Sequence, residues 1–239
     1  MTKVNHPFNK TYVLILASGL GKRFASEMPK QFHKLESHSI LEHSIQRFED
    51  NKNIDEIIIV TNPLFLDLVE TIIKANDYKK VSKIIKGGET RRESSYNGIM
   101  EIDDENSIVL IHDAVRPLVN DKIINDCVEK LKIANAVAVA IPASDTIYKI
   151  NDKAIIDDIP KRKFLLQAQT PQGFSTKLIK KAHKKALNDI STDFSDDVSL
   201  VYKYKLAEIH WVLGDENNIK VTYPIHEEFA KIILKTKFK

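Results

Sequence analysis

The sequence predicts an α/β fold built on a doubly wound, mostly parallel sheet. Short apolar runs without polar alternation recur along the chain, and segments with helical spacing separate them. Continuous apolar strands are typical of parallel sheets that helices cover on both faces, and regular β–α alternation favours the same architecture. In such sheets, ligands bind at the carboxyl ends of the strands.

The elements can be assigned in order along the chain. Strands are expected at residues 13–17, 56–60, 81–85, 108–111, 136–141 and 208–213. Helices are expected at residues 40–48, 63–75, 90–100, 122–133, 175–187 and 196–204, and from residue 227 onward. No internal repeat, low-complexity segment or linker interrupts this series, so one domain over residues 1–239 is predicted.

The regular alternation of strands and helices is interrupted at residues 144–167. This segment alternates polar and apolar residues without a helical pattern, and Asn151-Asp152 is typical of a hairpin turn. We therefore expect an antiparallel β-arm that projects from the sheet. An exposed arm generally requires a partner, because its unpaired edges are ready to join another chain.

Composition limits the class of protein. Hydrophobic residues make up 43% and charged residues 29%, and the formal net charge of +3 is too small to indicate a nucleic-acid-binding protein. Cys127 is the single cysteine, which excludes an internal disulfide and suits a reducing cytoplasm; its helical context predicts a buried structural thiol. No apolar stretch approaches membrane-spanning length, and the N-terminus lacks the apolar core of a signal peptide.

The first expected strand runs into a loop with Gly19 and Gly21, which Lys22, Arg23 and Lys30 follow. Glycines let backbone N–H groups approach an anion closely, and the cations neutralise its charge. The segment therefore predicts a phosphate-binding loop. An ordinary basic turn after a strand is the alternative.

Two familiar phosphate loops do not fit this segment. A Walker A loop needs Ser or Thr after its lysine, and Arg23 follows Lys22 here. The dinucleotide-binding pattern needs a small residue three positions after its second glycine, where Phe24 stands. An oxidoreductase would also need an acidic residue at the end of the second strand, where the sequence has Thr61-Asn62.

A second polar cluster begins at Gly87 and leads into an expected helix whose first turn offers Ser94 and Ser95. Open N–H groups at a helix start, with hydroxyls beside them, can contact a base edge or hold an oxygen anion. An ordinary helix cap is the alternative, and for Ser95 we favour it.

A third cluster, Ile111-His-Asp-Ala-Val-Arg-Pro117, directly follows an apolar strand. Asp113 is well placed to ligate Mg²⁺, which prefers oxygen ligands, and Arg116 is a fork-shaped donor suited to a phosphate. An Asp–Arg surface ion pair is the alternative. His112 is expected to pack beside the strand, and the histidines show no metal-binding spacing.

Together, eight motifs resemble one cytidylyltransferase family. It includes the 2-C-methyl-D-erythritol 4-phosphate cytidylyltransferases of the non-mevalonate isoprenoid pathway and the ribitol-5-phosphate cytidylyltransferases of teichoic-acid and capsule synthesis. The resemblance extends from Tyr12 to about Ile233. The motifs are Ala17-Ser-Gly-Leu-Gly-Lys-Arg23, Pro29-Lys-Gln31, Gly87-Gly-Glu-Thr-Arg91, His112-Asp-Ala-Val-Arg-Pro117, Asp145-Thr-Ile147, Gln169-Thr-Pro-Gln172, Ser195-Asp-Asp-Val-Ser-Leu200 and Asn218-Ile-Lys-Val-Thr222.

The resemblance implies a Rossmann-like nucleotidyltransferase fold, CTP and a polyol phosphate as substrates, and a homodimer in which the arm completes the partner's site. Asp113 would bind Mg²⁺. The catalytic cations would be Arg23, Lys30 and Lys220. The nucleotide would be held by Ala17, Ser18, Gly19, Gly21, Gly87, Arg91 and Ser94. The polyol phosphate would be held by Arg116, Thr146, Arg162 and Thr170.

The acceptor is less clearly indicated than the reaction. Ser18, Phe24 and Val115 depart from the commoner isoprenoid form, and Val115 is more typical of the pentitol-phosphate enzymes. The segments at residues 94–98, 167–172 and 195–200 look more like the isoprenoid enzymes. We favour methylerythritol phosphate and keep ribitol phosphate as the alternative. A dinucleotide-dependent oxidoreductase and a non-catalytic basic binding module are alternatives from other classes, but the lysines are scattered rather than clustered.

Overall fold

A computed structural model describes residues 8–20, 28–187, 189 and 194–237, and it confirms the predicted α/β class. The strands are β1 (Thr11–Ala17), β2 (Lys34–Leu35), β3 (His38–Ser39), β4 (Glu56–Thr61), β5 (Val81–Lys86), β6 (Ile108–Asp113), β7 (Ala136–Pro142), β8 (Lys149–Ile150), β9 (Ile156–Asp158), β10 (Leu166–Ser175) and β11 (His210–Leu213). The α-helices are α1 (Ile40–Glu49), α2 (Leu66–Asn76), α3 (Arg91–Met100), α4 (Asp121–Leu131), α5 (Thr176–Ala186), α6 (Asp197–Lys203) and α7 (Pro224–Lys237).

The main sheet contains seven strands in the described part of the chain, in the order β11-β7-β10-β6-β1-β4-β5. β1 lies parallel to both β4 and β6, β4 is parallel to β5, and β11 is parallel to β7. β10 is antiparallel to its two neighbours, β6 and β7. The carboxyl ends of β1, β4 and β6 therefore lie at one edge of the sheet, as the sequence predicts.

Helices cover both faces of this sheet. One apolar cluster joins α1, α2 and α4 to the sheet, and it includes Phe48, Val69 and Cys127. The opposite cluster joins α3, α5 and α6 through residues such as Ile99 and Ile179. Because strands 57–60 and 108–111 are buried throughout, their sequences show no polar alternation.

Helix α3 packs unusually close to the sheet. A Cβ atom built on Gly98 would lie 2.3 Å from Leu14 Cδ1 and 2.7 Å from Val60 Cγ2. Such distances are far inside van der Waals contact, so a side chain at this position would push the helix away from β1 and β4. Gly98 thus allows the short distance between α3 and the sheet.

The central antiparallel strand β10 is not predicted by the sequence. Pro171 argues against a strand in the middle of a sheet, because proline cannot donate a ladder hydrogen bond. The structure accommodates it at an irregularity: the pairing register of β10 with β7 shifts between Gln169 and Gly173. Helix α7 also begins at Pro224, earlier than the expected residue 227; proline is favoured in the first turn because its missing N–H has no acceptor there.

The predicted β-arm is present. β8 and β9 pair antiparallel, and the Asn151 side chain closes the turn by accepting hydrogen bonds from the backbone N–H groups of Lys153 and Ile155. Large apolar side chains of the arm face solvent in the single chain. They include Ile150, Ile155, Ile156, Ile159 and Phe164, each more than half exposed.

Within the described residues, no helix combines the length and the apolar character needed to cross a lipid bilayer.

Candidate active site

A cavity of about 420 Å³ opens at the edge of the sheet where β1 and β6 end. Its wall includes Ala17 at the end of β1, Ser18 and Gly19 after it, Lys30 from a short 3-10 helix, and Asp113 at the end of β6. Helix α3 and the segment before it close another side. The carboxyl ends of neighbouring parallel strands thus deliver the residues that the sequence singles out.

Gln31 fixes the loop that follows β1. Its side-chain Nε2 donates to the carbonyl oxygen of Ala17 at 2.7 Å and to that of Gly19 at 3.0 Å. Ser18 Oγ donates to the Val60 carbonyl oxygen at 3.2 Å, which ties the same loop to β4. The predicted site residues Gly21 and Arg23 lie outside the described residues.

Gly87 lies between two hydroxyl groups of the cavity region. A Cβ atom at this position would stand 2.1 Å from Ser18 Oγ and 3.0 Å from Ser94 Oγ. Ser94 Oγ also accepts a hydrogen bond from the Gly88 N–H at 3.1 Å. Glycine is therefore required where the loop after β5 approaches the loop after β1.

The start of α3 differs from the sequence-based expectation. Thr90 is the N-cap, and it forms a capping box with Glu93. Ser95 is therefore not a cap, and the expectation for it is wrong. Its hydroxyl donates instead to Asp197 Oδ1 at 2.6 Å, in the interior. Ser94 and Arg91, which the resemblance assigns to nucleotide binding, line the cavity.

Asp113 is surrounded by cationic groups. Lys220 Nζ lies 2.7 Å from its Oδ2, Arg91 Nε lies 3.5 Å from its Oδ1, and Arg116 Nε lies 4.0 Å from its Oδ2. Burial acts to raise the pKa of this carboxyl, but Arg91, Lys220 and Arg116 outweigh it and hold the pKa well below the usual range. The Asp–Arg ion pair of the alternative interpretation is present, but it is not a surface pair, because the two side chains are only 11% and 12% exposed.

His112 is fully buried and packs edge-on against the ring of Phe48, as the sequence predicts. Its Nδ1 lies 3.0 Å from Thr170 Oγ1, and its Nε2 lies 3.1 Å from the Arg116 carbonyl oxygen. Burial lowers the pKa of His112 to about 4, so the ring is neutral at pH 7. Through these two contacts, His112 connects the segment that carries Asp113 to Thr170 and Arg116.

Thr170 and Arg116 both contact Asp113 and lie next to the cavity, although neither is among the residues that line it. Thr170 Oγ1 accepts a hydrogen bond from the Asp113 N–H at 3.1 Å. Arg116 Nη1 donates to the carbonyl oxygen of Asn218 at 2.7 Å, while its buried Nε has no hydrogen-bond acceptor among the described residues. Burial lowers the pKa of Arg116, although Asp113 opposes this effect.

Thr146 and Arg162 lie on the β-arm, away from the cavity of the single chain. Both are exposed, and Arg162 Nη1 donates to the carbonyl oxygen of Ser144 at 2.8 Å. The structure therefore brings Lys30, Arg91, Asp113 and Lys220 together, but it does not bring these two arm residues to them within one chain.

Comparison with known proteins identifies the family to which the chain belongs. A model of the family described as 2-C-methyl-D-erythritol 4-phosphate cytidylyltransferase (IspD) matches residues 11–236. The chain belongs to this family. Its members are CTP-dependent cytidylyltransferases.

Relatives with two different names are similar to this IspD-family chain. A 2-C-methyl-D-erythritol 4-phosphate cytidylyltransferase from Thermobifida fusca is 37% identical over 93% of this chain and 92% of that protein. The ribitol-5-phosphate cytidylyltransferase of Vibrio parahaemolyticus is also 37% identical, over 94% of this chain and 95% of the relative. The bifunctional ribulose 5-phosphate reductase/CDP-ribitol pyrophosphorylase Bcs1 of Haemophilus influenzae is 43% identical over 91% of this chain, which matches 46% of Bcs1.

Solved structures of the family share the fold. The 4-diphosphocytidyl-2C-methyl-D-erythritol synthase of Anaerococcus prevotii superposes with a TM-score of 0.84 at 28% identity, and covers 95% of this chain and 96% of that one. The enzyme from Francisella tularensis gives a TM-score of 0.78 at 29% identity, over 94% and 99% of the two chains.

The donor set near Asp113 suits a divalent cation that is held mainly by substrate. No group of three or more His, Cys, Asp or Glu side chains that could hold a metal occurs within the described ranges. Mg²⁺ typically takes one or two protein carboxylates and completes its shell with water and phosphate oxygens. Asp113 supplies one ionised carboxylate on the cavity wall, so the residues fit such an ion.

Sequence reasoning assigned no role to several residues that build this cytidylyltransferase site. Gln31 fixes the loop after β1, and Asn218 Nδ2 donates to the Thr170 carbonyl oxygen at 2.9 Å. Gln172 and Asp197 form a further network behind Arg91. All four residues lie inside the eight motifs, so the family resemblance could have indicated that they matter. Their structural roles depend on contacts between distant parts of the chain, which the sequence does not show.

Proposed function

We propose that this cytidylyltransferase transfers CMP from CTP to 2-C-methyl-D-erythritol 4-phosphate, giving the CDP-polyol and pyrophosphate. The observation that carries the proposal is the cluster of Lys30, Arg91 and Lys220 around the cavity, next to the ionised Asp113. A pocket that presents three cationic side chains at the carboxyl edge of an α/β sheet suits a triphosphate and a second phosphate.

In the proposed reaction, an oxygen of the acceptor phosphate attacks the α-phosphorus of CTP in line with the departing group. A new P–O bond forms, the bond from the α-phosphorus to the α,β-bridging oxygen breaks, and pyrophosphate leaves with that oxygen. A phosphate monoester has a second pKa of about 6 and is largely ionised at pH 7, so no general base is needed. The barrier arises from bringing anions together and from charge on the phosphoryl oxygens.

The residues on the cavity wall have the charges that this reaction requires. Lys30 and Lys220 neutralise the triphosphate and stabilise charge at the α-phosphorus, and Arg23, outside the described residues, is proposed to act with them. Ala17, Ser18, Gly19, Gly21, Gly87, Arg91 and Ser94 are proposed to hold the nucleotide. Orienting two bound anions at short distance supplies the remaining rate enhancement.

Mg²⁺ is the proposed cofactor, with Asp113 as its protein ligand. When bound, the ion would neutralise charge on the triphosphate and on the departing pyrophosphate. Lys220 Nζ contacts Asp113 Oδ2 at 2.7 Å and Arg91 Nε lies 3.5 Å from Oδ1, so the ion would share this carboxylate with the two cationic side chains.

The apolar surface of the β-arm supports a homodimer. Ile150, Ile155 and Ile156 are each more than half exposed in the single chain, and burying such side chains against a second copy would be favourable. We propose that the arm lies on the partner, where Thr146 and Arg162 join Arg116 and Thr170 in holding the polyol phosphate. We also infer a cytoplasmic location, which the single cysteine Cys127 supports.

Ribitol 5-phosphate is the second candidate acceptor. The observation that favours it is the 43% identity with Bcs1, compared with 37% for the Thermobifida fusca enzyme. Both acceptors are polyol phosphates, so the proposed chemistry at the α-phosphorus is the same.

Release of pyrophosphate tests the proposal directly. Purified protein is supplied with CTP and Mg²⁺, and with methylerythritol 4-phosphate or ribitol 5-phosphate in parallel. We expect a higher kcat/KM with methylerythritol 4-phosphate. A higher value with ribitol 5-phosphate would assign the protein to CDP-ribitol synthesis, and turnover with neither would reject both acceptors.

A further inference from the structure

A buried cluster of polar side chains lies behind the cavity, outside the proposed contacts with substrate. Its centre is Asp197, the first residue of α6, whose side chain is 1% exposed. Ser95 Oγ donates to Asp197 Oδ1 at 2.6 Å, and His183 Nε2 lies 2.9 Å from the same oxygen. The other carboxylate oxygen, Oδ2, accepts from Arg91 Nη1 at 2.7 Å.

Arg91 connects this cluster to the cavity. Its guanidinium contacts Asp197 through Nη1, while its Nε lies 3.5 Å from Asp113 Oδ1. The side chain is 29% exposed and lines the cavity wall. The guanidinium is therefore held between two carboxylates, of which Asp197 makes the shorter contact.

Asp197 is itself held rigidly. Gln172 Oε1 accepts hydrogen bonds from the backbone N–H groups of Asp197 and Val198, and Gln172 Nε2 donates to Asp196 Oδ2 at 2.6 Å. The Asp196 side chain caps α6. The motifs at residues 169–172 and 195–200 thus interlock and fix the carboxylate on which Arg91 rests.

The charges in the cluster are strongly coupled. Burial acts to raise the pKa of Asp197, but Arg91, His183 and Ser95 outweigh it and keep the carboxyl ionised. The partly buried Arg91 guanidinium, if it lost Asp197, would turn toward its other carboxylate, Asp113, because an unpaired charge away from water is costly. Arg91 would then compete with Lys220 for Asp113 and leave its place on the cavity wall.

We infer that Asp197 is a positioning residue, which holds the Arg91 guanidinium on the cavity wall in the orientation that binds the phosphates of CTP. This inference rests on the proposed assignment of the cavity as the nucleotide site. Asp197 does not touch the nucleotide; it acts through Arg91. Ser95 and His183 contact the other carboxylate oxygen, Oδ1, and not Arg91, whereas Gln172 holds the backbone at Asp197.

The test measures the Kd of CTP by calorimetry, with no acceptor present, for Asp197→Asn, Arg91→Gln and the double variant. We expect each single change to raise the Kd at least tenfold, and the double variant to bind no more weakly than Arg91→Gln. His183→Gln is the matched control: it alters the opposite oxygen of Asp197, so it should lower Tm while the Kd stays within about twofold of wild type.

A Kd for Asp197→Asn within twofold of wild type would overturn the inference, as would single effects that multiply in the double variant. If Asp197→Asn does not fold, Asp197→Glu, which keeps the charge but displaces the carboxylate, is titrated instead: a Kd raised at least fivefold supports the inference, and a Kd within twofold of wild type overturns it. Because CTP alone is titrated, a wrong acceptor changes none of these results. Failure of the wild type to bind CTP would instead contradict the proposed nucleotide site.

Discussion

At the residue scale, Lys220 combines exposure to the cavity with a 2.7 Å contact to Asp113 Oδ2. We expect Lys220→Ala to lower kcat by about 10²–10³, the usual cost of losing one group that stabilises developing charge. Steady-state pyrophosphate release measures the effect. Lys235→Ala is the control, because Lys235 is exposed and pairs with Glu36 far from the cavity. A kcat within threefold of wild type for Lys220→Ala would reject the role.

Cys127 gives a second prediction at this scale. Burial raises the pKa of its thiol to about 12, whereas a free cysteine has a pKa of about 8.5. The folded state therefore keeps the proton that the unfolded state loses, and this contribution to stability falls as the pH rises above about 8.5. Between pH 8 and 10 the loss should be about 2 kcal/mol at most, and Cys127→Ala should not show it.

Urea unfolding of wild type and Cys127→Ala at both pH values measures this difference. Native protein should also react slowly with a thiol reagent at pH 8, and denatured protein should react at once. Equal pH dependence of the two proteins, or rapid labelling of the native state, would show that the thiol is accessible.

Some residues of the candidate site could be predicted from the sequence, and others could not. Asp113 and Lys30 could be expected at one edge of the sheet because each follows a recognisable strand, and parallel strands deliver such positions to one edge. Arg91 was indicated only by the family resemblance of the motif at residues 87–91. The contact of Asp197 with Arg91 could not be predicted, because it joins residues 106 positions apart. No local pattern encodes that distance.

At the scale of elements, the β-arm carries a prediction about assembly. Ile156→Glu places a charge on the apolar surface of the arm, and we expect it to convert a dimer to a monomer and to lower kcat/KM for the polyol phosphate. Sedimentation velocity measures the first effect. Ile133→Glu is the matched control, since Ile133 is 80% exposed but lies outside the arm. A dimeric Ile156→Glu protein, or a wild type that is monomeric, would contradict the proposed interface.

The elements differ in how well the sequence predicts them. The arm could be predicted because Asn151 favours a turn and the flanking residues alternate. Strand β10 could not, because Pro171 is unfavourable in a central strand and the register shift that accommodates it arises from tertiary pairing. Propensity is a weak guide wherever a local irregularity removes the penalty.

At the scale of the whole molecule, binding of CTP should stabilise the fold. A ligand at 100 times its Kd adds about 2.7 kcal/mol, which for a protein of this size raises Tm by about 5–10 °C. Differential scanning fluorimetry with CTP measures the shift, and cytidine at the same concentration should give a smaller one because it carries no phosphate. Equal shifts for CTP and cytidine would show that the cationic residues of the cavity do not bind the triphosphate.

Strands β7 and β10 follow one another in the sheet with the arm between them, so the arm is the outer end of a single long ribbon. Pairing of the two strands continues through the hydrogen bond from the Ala143 N–H to the Leu165 carbonyl oxygen. Thr170, whose hydroxyl receives the Asp113 N–H, lies on the same ribbon. One continuous strand, β10, thus links the base of the arm to the backbone of Asp113 through the Thr170 hydroxyl.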